Sequence, residues 1–210
     1  KITPEPLKDL IWAQEQFAVE GYPSLDGCCW LGMGANGRVF RVKPMDRMAA
    51  TMAAATICPL ALKLVNGQKN VDNLKTEFHA LRSAHTAGCP VVEVLRDVEE
   101  SEDSNRAAYL MKPAGNPISV NTEEDCNTIF EKLALLHHSG FTHGDPRLAN
   151  AITTNDGKIL WIDMRESRDG KVQDDSFSSH CLDDARKLSR SILKLSAQES
   201  LPISVHNVDK

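Results

Sequence analysis

Beyond Gly115 the hydrophobic pattern of this chain becomes mainly helical, and that change limits the folds open to it. Before it, short apolar runs read as strands: Trp30–Leu31, Arg38–Val42, Leu60–Val65, and the stretches 90–98 and 106–112. One helical stripe interrupts them at about 70–86, with Val71, Leu74, Phe78 and Leu81 on one face. After Gly115, apolar residues recur at helical spacing over about 122–139 and 181–197, the latter through Leu182, Ala185, Leu188, Ile192 and Leu195. Between those helices lie two short strands, 150–154 and 158–162, around the turn Asn155-Asp156-Gly157. Strands with one helix, then helices with one hairpin, predict an α+β fold in two lobes.

The ends add less. Over 4–20 a helix is expected, with Thr3 as cap, Pro4 in the first turn and Gly21 closing it. Its stripe of Leu7, Leu10, Ile11, Phe17 and Ala18 predicts packing against the next part of the chain. Residues 44–58 are rich in Ala and Met, with Met45, Met48, Ala49 and Met52 at helical spacing, and read as a helical insertion packed by its methionines. The expected organisation is a helical extension over 1–29, a strand-rich lobe over 30–111 and a reduced, mainly helical lobe over 112–210. That last lobe is either complete or truncated at the chain end.

Composition excludes some partners. The formal net charge is −5 and the isoelectric point about 5.8, against generalised attraction to nucleic acid or an anionic membrane. No apolar run approaches the roughly 20 residues a membrane span needs, so neither nucleic acid nor a membrane span is expected. The six cysteines are scattered without a C-x-x-C, and the seven histidines lack metal spacing. Reduced thiols in an intracellular protein, of cytoplasm or nucleus, are expected. Because the first residue is Lys1, the chain reads as a fragment or a processed product, with any upstream targeting segment out of view.

Three groups of residues could carry chemistry. Gly32, Gly34 and Gly37 form G-x-G-x-x-G between two strands, where a glycine hairpin lets backbone N–H groups approach phosphates. Lys63 alternates against Leu62 and Leu64 in a short apolar strand; a lysine aimed inward needs an anion, and Glu77 in the next helix is a candidate. The most specific group is His143-Gly144-Asp145-Pro146-Arg147-Leu148-Ala149-Asn150, followed by Asp163 directly after the apolar Ile159–Ile162. One carboxylate, Asp145, can orient an attacking hydroxyl. Asp163 and the Asn150 amide oxygen can hold magnesium, which prefers oxygen ligands. Arg147 can supply positive charge to a moving phosphoryl group.

As a set and in this order, these residues resemble the protein-kinase-like superfamily over about residues 30–195. HGDPRLAN with Trp161-Ile162-Asp163-Met164-Arg165 is most similar to its small divergent members: the RIO type, the KEOPS-complex kinase and, above all, the kinase-like domains of Crinkler effectors of oomycetes and fungi. The resemblance implies ATP and Mg2+ as cofactors, with Gly32, Gly34 and Gly37 over the phosphates. It also implies Val39 and Ala61 against the nucleotide, and Lys63, positioned by Glu77, on the α- and β-phosphates. Tyr109–Gly115 would be the hinge that receives adenine, with Met111 as gatekeeper and the Lys112 carbonyl and Ala114 N–H facing the base. Asp184 matches an aspartate that braces the catalytic loop, though an acid at a helix N-terminus explains it equally well.

Three departures qualify the resemblance. Gly144 stands where an arginine usually precedes the catalytic aspartate, which predicts activity independent of loop phosphorylation. Met164-Arg165 follow Asp163 in place of Phe-Gly, and only residues 164–183 separate Asp163 from Asp184, with no A-P-E. The expectation is a compact Ser/Thr protein kinase acting on a protein, its own chain included. Two rivals are an ATPase or small-molecule kinase on the same scaffold, and a nucleotide-binding pseudokinase effector that engages a host-cell protein.

Overall fold

A computed structural model describes residues 4–21, 29–34, 37–45, 59–164 and 175–199. The fold is α+β with antiparallel sheets, in two compact units: Lys1–His79 with Glu93–Ala114, and Ala80–Val92 with Gly115–Lys210.

The first unit contains helix α1 (Pro4–Phe17) and strands β1 (Val19–Gly21), β2 (Trp30–Gly34), β3 (Gly37–Pro44) and β4 (Leu60–Asn66). Helix α2 (Gln68–Thr86) follows, its residues to His79 belonging to this unit. Strands β5 (Glu93–Val94), β6 (Glu99–Glu100) and β7 (Arg106–Lys112) complete it. The sheet runs β1-β3-β4-β7-β5, with β2 also on β3 and β6 also on β7.

Period-two alternation divides this sheet between two jobs. Leu60, Leu62, Leu64, Phe40, Val42, Ala108 and Leu110 form one buried cluster with Leu10, Ala13 and Phe17 of α1. The intervening residues of the same strands, Ala61, Lys63, Val65, Tyr109 and Met111, face the other way and are also buried. The first helix is therefore part of this unit's core. Asp9 fixes it there, accepting from Arg38 Nη2 at 3.0 Å and Asn66 Nδ2 at 2.6 Å, with Arg106 Nη1 at 3.7 Å.

Some expectations for this region need correction. Helix α1 ends at Phe17; Ala18 turns the chain at φ 49, and Gly21 pairs with Val42 in β1 instead of closing a helix. The expected strand over 90–98 reduces to β5, because Pro90 has no N–H to give a ladder and Val91 makes only an isolated bridge with Trp161. The Thr3 cap and the methionine-rich stretch 46–58 lie outside the described residues.

The second unit holds β8 (Asn116–Pro117), α3 (Glu123–His138), a 3-10 turn (Leu148–Asn150), β9 (Ala151–Thr153), β10 (Ile159–Trp161) and α4 (Asp175–Glu199). The small sheet runs β10-β9-β8. Helix α3 opens with a capping box: Thr122 Oγ1 accepts from the Asp125 N–H, and the Asp125 carboxylate accepts from the Thr122 N–H. It buries Cys126, Ile129, Leu133 and Leu136 on one stripe. Helix α4 starts earlier than expected, at Asp175, since its polar first turns carry no apolar period to detect. Among the described residues Cys29, Cys89, Cys126 and Cys181 are free thiols, and no helix is long and apolar enough to cross a membrane.

Candidate active site

In the first unit, strand register gathers the predicted residues on one sheet face. Val39 pairs with Lys63 and Lys63 with Tyr109, so the three stand in a cross-strand row; Ala61 pairs with Met111 in the next row. Glu77 of α2 reaches this face. Lys63 Nζ donates to both Glu77 carboxylate oxygens at 2.6 Å, and the pair is buried at 8% and 4% exposure. The Tyr109 hydroxyl donates to Glu77 Oε1, also at 2.6 Å. A buried ion pair recovers its desolvation cost only with good geometry and added hydrogen bonds. Here the tyrosine supplies one.

The glycines divide by role. A Cβ on Gly37 would lie 2.7 Å from Val65 Cγ1 and 2.8 Å from the Leu64 carbonyl oxygen, so β3 can approach β4 there only without a side chain. A Cβ on Gly32 or Gly34 would meet nothing within 4 Å. Packing among the described residues therefore gives no reason for glycine at those two positions. Space beside an open backbone is what a phosphate needs.

The expected hinge differs in one donor. The Ala114 N–H, which the resemblance assigns to adenine, donates instead to the Pro59 carbonyl at 2.8 Å. Residues 112–114 leave the sheet beside β4, and that bond ties them to the start of the strand. Met111 is buried, and Lys112 pairs its ammonium with Glu93 at 3.0 Å.

In the second unit, the loop 141–150 is organised from α4. Asp184 is 1% exposed and accepts the N–H of His143 at 2.7 Å, the N–H of Gly144 at 3.0 Å and His137 Nε2 at 3.1 Å. It lies more than two turns inside α4, which starts at Asp175, so a helix N-terminus does not account for it. His143 is fully buried, edge-on to Trp161 at 5.0 Å, and its Nδ1 accepts the Asp145 N–H at 3.3 Å. Burial pulls its pKa down to about 4, against the opposing fields of Asp184, Asp163 and Asp145. The ring is thus neutral near pH 7.

Asp145 and Asn150 are joined directly. Asn150 Nδ2 donates to the Asp145 carbonyl at 2.9 Å and to its Oδ2 at 3.4 Å. Arg147, placed by its chemistry on a phosphoryl group, donates to the same Oδ2 at 2.7 Å. Both bonds fall on Oδ2 of Asp145. Asn150 spends its nitrogen on the loop and keeps its amide oxygen. Asp163 adopts φ 59, a left-handed backbone uncommon for a residue with a side chain, though aspartate is among those that tolerate it. Such strain persists where surrounding structure imposes it.

The groups expected to hold magnesium, the Asn150 amide oxygen and the Asp163 carboxylate, are oxygen donors of the kind that ion prefers. Among the described residues no three His, Cys, Asp or Glu side chains group to hold a metal unaided. Magnesium in phosphate chemistry takes one or two protein ligands and completes its shell with phosphate and water, so two oxygen donors would be enough by chemistry. No protein-family model matches the chain, and no curated protein matches it in sequence.

Several residues of these clusters carry no motif. Tyr109 is expected only as the start of the hinge, and nothing in the sequence marks it as a partner of Glu77. His137, Lys187 and Ser191 carry no signal beyond their helices; the latter two come after Asp184 at helical spacing.

Proposed function

We propose that this protein is a compact ATP- and magnesium-dependent phosphotransferase with a two-lobed, kinase-like fold, acting on Ser or Thr hydroxyls of a protein. The observation that carries the reading is the buried Lys63–Glu77 pair, locked by Tyr109. A charge held at that cost, on the sheet face that also bears the open glycines, suits a triphosphate. In this reading Lys63 contacts the α- and β-phosphates, Gly32 and Gly34 lie over them, and Val39, Ala61 and Met111 line the nucleotide.

The second unit supplies the transfer groups. Asn150 and Asp163 would hold magnesium, whose charge offsets that of the phosphates. Asp145 Oδ1 accepts the proton of the acceptor hydroxyl, whose oxygen forms the new bond to the γ-phosphorus. The bond to the β–γ bridging oxygen breaks and ADP leaves. Arg147 and Asn150 on Oδ2 hold the carboxylate in one orientation for that task.

The test is calorimetric titration of ATP with and without magnesium, then incubation with labelled ATP and mass spectrometry. Magnesium-dependent binding and labelled protein are expected. Lys63→Ala and Asp163→Asn should weaken binding, while Asp145→Ala should spare binding and suppress transfer. No ATP binding in either condition would overturn the reading. Binding with release of free phosphate alone would favour an ATPase or small-molecule kinase. One observation favours that alternative: α4 starts at Asp175, so only residues 164–174 separate it from Asp163, little chain for a peptide platform.

A further inference from the structure

Gly144 stands directly before Asp145 at φ 82, a left-handed backbone that costs glycine nothing. That freedom has a consequence. With no Cβ at 144, the peptide plane joining it to Asp145 rotates against little steric resistance, and rotation changes φ at Asp145 and swings its carboxylate. The plane is held at both ends. Its N–H, from Asp145, donates to His143 Nδ1 at 3.3 Å, and its carbonyl, from Gly144, accepts from Lys187 Nζ at 2.6 Å.

Lys187 sits on α4 one turn beyond Asp184, whose carboxylate takes the N–H groups of His143 and Gly144 at 2.7 and 3.0 Å. One further turn on, Ser191 Oγ accepts the Leu148 N–H at 3.1 Å. Residues 184, 187 and 191 share one helix face, so α4 presents a polar stripe that grips the loop backbone along its length. The ammonium is steadied by Asp183 Oδ2 at 2.8 Å. Of the three contacts, only the one from Lys187 reaches the peptide carbonyl adjoining Asp145.

We infer that Lys187 is a positioning residue: by fixing the Gly144–Asp145 peptide it aims the Asp145 carboxylate, a task the glycine at 144 leaves to another element. The inference rests on the phosphotransferase reading for its catalytic consequence and on geometry alone for the hinge. The Lys187 side chain is 35% exposed, so its bond contributes little to global stability. Its effect is local, on one plane.

The test compares Lys187→Met and Lys187→Arg with the full chain in three measurements: ATP-dependent transfer kinetics, urea unfolding, and hydrogen exchange at the Gly144 and Asp145 amides. In Lys187→Met, kcat should fall roughly 10- to 100-fold, the scale of a misplaced catalytic group. KM for ATP should stay within about twofold, since ground-state binding is untouched. The urea midpoint should hold while the two amides exchange faster, and Lys187→Arg should restore most of kcat. Unchanged kcat and unchanged exchange in Lys187→Met would overturn the inference. So would a loss of kcat that tracks a loss of fold stability and is not restored by arginine. If the full chain itself transfers no phosphate, the phosphotransferase reading fails, and the exchange arm alone decides the hinge: retained protection in Lys187→Met refutes it, lost protection upholds it.

Discussion

Tyr109 donates its hydroxyl to the same Glu77 oxygen, Oε1, that accepts from Lys63. The tyrosine is fully buried on β7, directly opposite the lysine on the neighbouring β4, so the carboxylate is gripped from two strands at once. Tyr109→Phe removes one donor to a buried charge without changing shape. The expected cost is about 1.5–3 kcal/mol, the range for a hydrogen bond to a charged group. Urea denaturation should show it as a lower midpoint at constant slope.

Breaking the ion pair from one side should cost more. Lys63→Met strands Glu77 at 4% exposure, and the expected loss is about 3–5 kcal/mol. The double variant Lys63→Met/Glu77→Leu removes both charges and should be more stable than Lys63→Met alone. A double variant as unstable as the sum of its parts would show that the pair acts independently of its mutual charge.

The glycines should separate stability from binding. Gly37→Ala forces a methyl against the Leu64 carbonyl and should destabilise by about 1–3 kcal/mol, as overpacking does. Gly34→Ala meets open space and should change stability by no more than about 0.5 kcal/mol. Under the proposed function it should nevertheless weaken ATP binding. A Gly34→Ala variant with unchanged calorimetric affinity would remove that glycine from the nucleotide site.

Asp184→Ala leaves the N–H groups of His143 and Gly144 without their acceptor. Each stranded buried donor costs about 1–3 kcal/mol, and the amides of 143 and 144 should exchange faster. Normal protection at both amides would mean that the loop finds another anchor.

His143 sets a pH dependence. Its folded pKa of about 4 lies below the ordinary 6.5, so the unfolded chain binds the proton more readily. Its contribution to stability is complete above about pH 6.5 and is lost as pH falls through about 4. The magnitude is on the order of 3 kcal/mol from the pKa difference. His143→Gln should flatten the stability profile over that window, and an unchanged slope would place the acid sensitivity elsewhere.

The α+β order, the boundaries of β3, β4, α2 and α3 within a few residues, and the face Lys63 takes were all legible in the chain, because hydrophobic period reports local geometry and burial directly. The types and order of Gly32, Lys63, Glu77, Asp145, Asn150 and Asp163 were legible for a similar reason: they are written in single letters at fixed spacing. What tertiary structure alone decided is who meets whom. Asp184 finds amides some forty positions earlier, Lys187 finds the Gly144 carbonyl, and α1 lies down on the sheet through Asp9. The Ala114 N–H goes to Pro59 for the same kind of reason. Periodicity names the face a residue shows, but a hydrogen bond depends on the element that arrives at that face, and only the packed chain brings it there.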